Sequence, residues 1–198
     1  MTATHQTAPL RMVWQMRGDR VDWARAQAEQ FMSTLGRRWA HVQAVAARAA
    51  SLPFEGGDRE LLVAAAYLHD IGYAPGLAAT GFHPLDGARH LRSFGEEDLA
   101  RLVAHHTNAK HEAGLRGIED YEDEFPFGGT LLDDALTFCD LSTSPDGQLV
   151  TIEDRLAEIV ERYGPDHVVA RTVLAGMPGF ERGRERVRRH CAEAGVSL

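Results

Sequence analysis

Residues 61–73, LLVAAAYLHDIGY, decide the fold. The first seven are apolar or aromatic on every side, which predicts a helix enclosed by other helices rather than one lying on a surface. The run then delivers two polar residues side by side, His69 and Asp70, at its last turn. Asp58 stands where a helix cap is expected, and Gly72 stands where a C-terminal glycine lets a chain leave in a left-handed conformation. Neighbours on a regular helix point about 100° apart, so a break at Gly72 is what would turn both side chains toward one cavity. A histidine–aspartate pair is common, and its weight comes from the other histidines and aspartates of the chain.

Working outward, Asp19 is placed to cap a helix reaching about Leu35, with Trp23, Ala24, Ala28 and Phe31 along one face. Gly36 ends it. A second helix over 37–50 turns Val42, Val45, Ala46 and Ala49 inward and carries His41 near its start. Beyond the central run, 74–82 holds Pro75, Gly76 and Gly81 and reads as a loop, and Pro84 at a first helical position begins a short helix to about Ser93. The next helix, 96–107, has the stripe Leu99, Leu102, Val103 and His106, with Glu96, Glu97 and Asp98 at the favourable end of its dipole. Residues 119–124 are acidic and read as a surface loop, and 131–141 as a helix ending at Asp140. After a polar loop over 142–150, Thr151 and Asp154 form a capping box for a helix over 152–163. Two further helices are expected over 166–175 and 180–194. Nothing reads as a strand, so the fold class is all-α: one compact helical bundle over 19–198, with its core at about 37–142 and extra C-terminal helices. Residues 1–18 are expected to be a loosely ordered arm, in which Met12, Val13 and Trp14 are the segment able to dock.

A chain of 198 residues with 44% hydrophobic and 25% charged residues suits a single globular domain. The net charge of −8 argues against a nucleic-acid polymer or a membrane surface as partner, since both recruit basic surface. Of the 21 basic residues, Lys110 alone is a lysine, a bias of genomic composition before it is one of phosphate binding. Cys139 and Cys191 are far apart and lack zinc-site spacing, so a reducing cytoplasm is expected. Neither a membrane span nor a secretion signal is expected from the apolar pattern.

The residues able to carry chemistry are His41, His69, Asp70, His83, His105, His106 and Asp140, each on a predicted helix or at its edge. Imidazole and carboxylate suit Fe, Mn, Zn or Ni, and carboxylates also take Mg. The set exceeds what one tetrahedral zinc needs. It is about enough for two metals sharing a bridging carboxylate, for which Asp70 is the natural choice beside His69. Any one of these histidines is also what a hydrogen-bonded core histidine looks like. His105 and His106 diverge by about 100° and need not serve the same metal.

In this order the residues resemble the HD superfamily of metal-dependent phosphohydrolases, whose pattern is a lone His, then His-Asp, then a distant Asp: here His41, His69-Asp70 and Asp140. The surrounding text agrees, with LHDIGY at the pair, HPLDGARHL from His83 and HHT at His105–Thr107. The extra histidines are similar to those of the two-metal branches. The resemblance implies an HD-domain helical fold and two divalent metals, Fe or Mn foremost. It implies His41, His69, Asp70, His83, His105, His106 and Asp140 as ligands, with Asp70, His105 and His106 also catalytic. The implied reaction is hydrolysis of a nucleotide or other small phosphoester by metal-activated water. The same ligand set occurs in a mixed-valent di-iron oxygenase branch, and a non-catalytic metal-containing sensor or interaction domain is the other alternative. Two departures stand out: NAKHEAGLRG follows HHT where a GYP extension would mark cyclic-dinucleotide phosphodiesterases, and Tyr73 stands where the family's HDIGK carries a lysine.

Around this set, Arg37 and Arg38 lie four and three residues before His41, where an arginine suits bidentate contact with a phosphate. Lys110, Thr143 and Arg155 are the other candidates for substrate contact: Arg155 has pairing with Glu158 or a solvated position as its alternative, Lys110 a solvated one, and Thr143 is placed by its position in the polar loop just after Asp140. His105, His106 or Lys110 is expected to protonate the leaving group. A homodimer is compatible with the sequence.

Overall fold

The all-round apolar run becomes α3 (Gly56–Leu68), in which Leu62, Val63, Ala64, Ala65, Ala66 and Leu68 are all buried. The computed structural model describes residues 19–198, and the expected arm lies outside the described residues. Five consecutive buried residues cover more than one helical turn, so α3 is enclosed on all sides over its second half, while Gly56 to Glu60 at its start are exposed. Its neighbours are α1 (Arg20–Met32), α2 (Arg37–Ser51) and α8 (Leu131–Leu141), which pack against it directly. Truncating Leu62 or Leu68 to alanine, both fully buried, costs about 2–5 kcal/mol by removing apolar volume the surroundings cannot refill.

The remaining elements close around this centre. α4 (His83–Ser93) packs on α5 (Glu97–His105); α6 (Ala109–Leu115) and α7 (Tyr121–Glu124) follow; α9 (Ile152–Tyr163) and α10 (Val168–Glu193) complete the bundle against α8. Among the described residues the strand-like pairing is one isolated bridge, Thr143 with Leu149. The fold is all-α. No helix among them is long and apolar enough to cross a membrane.

Local chemistry accounts for most boundaries. Asp19 caps α1, its carboxylate accepting from the Val21 N–H at 2.7 Å. Thr130 and Asp133 form a reciprocal capping box at the start of α8. At α9 the Thr151 side chain accepts from the Asp154 N–H at 3.0 Å, half of the box expected there.

Several expectations are corrected. α3 begins two residues before Asp58, which lies in its first turn instead of capping it. Residues 119–124 are not simply a surface loop: Tyr121 is buried, donates its hydroxyl to the Ala104 carbonyl and begins the short α7, with Phe125 fully buried after it. The two C-terminal helices are one, α10, running through Pro178. A proline in a helix removes a hydrogen bond and crowds the preceding turn. Tertiary packing overrides it here, since buried residues lie on both sides, from Val173 to Phe180, Val187 and Cys191.

Candidate metal centre

At the end of α3 the chain hands over two side chains in different ways. His69 caps the helix, and its Nδ1–H donates to the Ala66 carbonyl at 2.8 Å. Asp70, at φ −99° and ψ 6°, opens a tight 3-10 turn, Ile71–Tyr73. Gly72 in that turn does not take a positive φ, so the left-handed exit expected there is absent. Glycine is needed for space instead: a Cβ at Gly72 would lie 2.1 Å from the His83 carbonyl oxygen and 2.7 Å from the Gly87 nitrogen. This backbone contact seats the start of α4 on the turn and brings His83 Nε2 to 3.4 Å from Asp70 Oδ1.

Six of the seven ligand candidates meet, in two clusters. His41, His69 and Asp140 form one; Asp70, His83 and His106 form the other; in each, the ligand atoms lie within 4.8 Å of one another. The clusters adjoin, with His69 Nε2 3.7 Å from Asp70 Oδ1 and 4.0 Å from Asp140 Oδ1. Three rings are oriented alike. Nδ1–H donates to a backbone carbonyl in His41 (Ser144, 3.1 Å), His69 (Ala66, 2.8 Å) and His106 (Val103, 2.6 Å), leaving each Nε2 for the cluster. This is the outer hydrogen bonding that fixes the tautomer of metal-binding histidines. His41 Nε2 meets Asp140 Oδ1 at 3.0 Å, and His83 Nε2 faces His106 Nε2 at 3.1 Å. His69 Nε2 is buried with no hydrogen-bond partner among the described residues. A lone pair so placed is costly unless something positive meets it, and a cation held by these donors is what the arrangement fits.

The electrostatics agree with that fit. Burial pushes the Asp70 carboxyl up, but His69, Arg38 and His83 together hold it far below the usual carboxylate range. Asp140 behaves alike: against burial, it is lowered chiefly by the hydrogen bond from His41. Burial pulls His69 and His83 down, favouring the neutral imidazoles that ligate metals. His41 moves up in spite of burial, because Asp140 accepts its hydrogen bond.

Above the clusters opens a cavity of about 170 Å³ whose wall includes Arg37, Arg38, Arg155 and Arg162. One buried water needs roughly 10–15 Å³ on this measure, so a polyatomic group fits. Arg38 Nη1 donates to Asp70 Oδ2 at 2.5 Å, and its guanidinium lies 3.4 Å over the Tyr73 ring. Tyr73 in turn stacks on His83 at 3.9 Å. A cation from α2 thus lies directly over the Tyr73 ring. Arg37 lines the cavity but is held by Asp146 through two bonds of 2.6 and 2.8 Å, and Arg155 pairs with Glu158.

Three candidates lie away from this cavity. His105 turns to the opposite side, with Nε2 2.5 Å from the Phe125 carbonyl, and burial lowers its pKa. The separation from His106 arises because α5 ends at His105 and the chain kinks, with Thr107 at φ 50° and Asn108 at φ 63°. Lys110 faces Glu122 at 3.6 Å and lies 5.0 Å over the Phe127 ring. Thr143 is fully buried, its hydroxyl donating to the Cys139 carbonyl at 2.8 Å. Conversely, Thr107, Arg162 and Tyr163 line the cavity without having been singled out. The Thr107 hydroxyl donates to Asp140 Oδ2, fixing a ligand. Its place in HHT was the available signal; Arg162 and Tyr163 had none.

A family model described as HD domain matches residues 38–163, well over half of the chain and all six clustered residues. No curated protein and no solved structure matches the chain.

Proposed function

The chain belongs to the HD-domain family, and on that premise we propose that it is a metal-dependent phosphohydrolase cleaving a nucleotide or other small phosphoester at a two-metal centre. The observation that carries this reading is the pair of adjoining three-ligand clusters beneath an arginine-lined cavity. His41, His69 and Asp140 would hold one metal, and Asp70, His83 and His106 the other. The imidazole–carboxylate donors favour Fe or Mn, with Zn, Ni and Mg within their range. Bound there, such metals lower the pKa of water and neutralise charge on a phosphoryl group.

The chain's own residues orient and position. The carbonyls of Ser144, Ala66 and Val103 hold three imidazoles with Nε2 inward, and Thr107 holds Asp140. Arg38, braced on Tyr73, presents a guanidinium at the cavity wall, where a phosphate oxygen competes for it with Asp70. None of the three groups expected to protonate the leaving oxygen is free to do so here: His105 and Lys110 lie away from this cavity, and His106 has Nδ1 on the Val103 carbonyl and Nε2 in the cluster. Cys139 and Cys191 are free and buried, which suits the reducing cytoplasm.

The test is elemental analysis of metal per chain, followed by a phosphoester and nucleotide panel on the same preparation. The expected result is a ratio near two with turnover abolished by chelation. Turnover that survives chelation removes the proposal. Oxygen consumption without phosphoester turnover assigns the oxygenase chemistry instead, and metal-dependent folding without turnover assigns a sensor.

A further inference from the structure

Between α5 and α6 the chain holds two consecutive left-handed residues, Thr107 (φ 50°, ψ 45°) and Asn108 (φ 63°, ψ 29°), neither of them glycine. Asparagine tolerates this conformation, but for a β-branched threonine it is an outlier that persists only where the surroundings hold it. Three hydrogen bonds do so: the Thr107 N–H donates to the Thr137 hydroxyl of α8 at 3.2 Å, the Thr107 hydroxyl to Asp140 Oδ2, and Asn108 Nδ2 to the Thr172 carbonyl of α10 at 3.2 Å.

Both clusters meet at this kink. Thr107 fixes Asp140 in one, and His106, the residue before it, belongs to the other. Asn108 reaches neither, and it does not line the cavity above them. Its amide turns instead to α10, lying so close to that helix that a Cβ at Gly176 would stand 3.1 Å from Nδ2. α10 packs on the kink and on α6, and it lies wholly beyond the residues 38–163 that match the family. Asn108 thus ties a helix outside the matched span to the backbone that carries His106 and Thr107.

We infer that Asn108 is a positioning residue of the metal centre: by bonding the Thr172 carbonyl it pins the left-handed kink to α10, and so holds the Thr107 hydroxyl on Asp140 and His106 at its cluster. The inference rests on the two-metal reading. A hydrogen bond that orients a ligand from outside is commonly worth about ten- to a hundredfold in metal affinity. Asn108 acts one residue further out, through Thr107, so the lower figure applies.

The probe is Mn²⁺, titrated into the metal-free full chain with the free ion counted by electron paramagnetic resonance, alongside a denaturant midpoint for each metal-free variant. Asn108→Gly keeps the left-handed backbone, which glycine adopts freely, and removes the amide. It is expected to weaken Mn²⁺ binding about tenfold at an unchanged midpoint. Thr107→Val removes the hydroxyl and should weaken binding as much or more. The double variant should lose no more than Thr107→Val alone, since the two residues act in series. Native affinity in Asn108→Gly, a midpoint that falls with the affinity, or additive losses in the double variant each overturn the assignment and leave the two-metal reading standing. A native chain that takes up no Mn²⁺ overturns both. Should Asn108→Gly fail to fold, Asn108→Asp, which keeps the shape and turns an acceptor to the Thr172 carbonyl, decides in its place.

Discussion

The two ligand clusters are built on different scales of the fold. His41 and Asp140 are 99 residues apart and meet because α2 and α8 pack on each other and on α3; His69, at the end of α3, completes their cluster. Asp70, His83 and His106 come instead from a turn, a helix start and a kink within one segment, 70–106. Burial separates them at one residue: the His83 side chain keeps 16% exposure at the cavity mouth, while the other five clustered ligand candidates are all buried. The inner cluster is held by the packing of three helices, and its geometry is as stiff as that packing, although His41 and Asp140 also line the cavity. The outer one is set by local backbone and opens to solvent, so the two should differ in how tightly they hold a metal.

The largest effect should come from the inner cluster. Asp140→Ala removes a ligand and also the acceptor of His41 and Thr107, and kcat/KM for the best phosphoester should fall by about a thousandfold or more. Metal per chain, measured on the same sample, should fall with it. His83→Ala should lower the rate less, by about a hundredfold, and leave one metal bound. Stepwise dialysis against a chelator sharpens the contrast: the metal held by Asp70, His83 and His106 should leave first. Equal losses in the two variants would erase the distinction between the clusters.

That distinction was only partly legible in the sequence. The enclosed helix was readable because an uninterrupted apolar run has no surface face, and His69-Asp70 stood out at its end. The joining of His41 to Asp140 rested on resemblance, because nothing local links residues 99 apart. His105 and His106 could not be separated, since the kink that parts them puts Thr107 in a left-handed conformation that a β-branched residue rarely adopts. The break expected between 175 and 180 is bridged by a helix running through Pro178, with packing on both sides. Lys110 and Thr143 were placed by nearness in sequence, and their side chains found nearer partners in Glu122 and the Cys139 carbonyl.

Because the outer cluster depends on backbone contact, it should also be breakable without touching a ligand. Gly72→Ala places a methyl where the His83 carbonyl lies, 2.1 Å from the new carbon. Separating the turn from α4 should cost about 1–3 kcal/mol in a denaturant titration. It should also displace His83 from Asp70, so the variant should lose the outer metal and retain the inner one. Loss of both together would mean that the turn supports the whole centre.

The smallest effect separates charge from shape at the same cluster. Arg38 combines an ion pair to Asp70 with a stack on Tyr73, and a lysine can reproduce the first but not the planar second. Arg38→Ala should raise KM by about tenfold, in keeping with one charge-assisted contact to a phosphate. Arg38→Lys should recover only part of that, and its recovery should improve in the background of Tyr73→Phe no more than in the native chain, since the stack needs the ring and not its hydroxyl. Full rescue by lysine would reduce Arg38 to a point charge and remove Tyr73 from its support. A change in kcat with KM unmoved would place Arg38 on the reacting phosphoryl group itself, since only an interaction stronger in the transition state than in the bound substrate raises the rate of the chemical step.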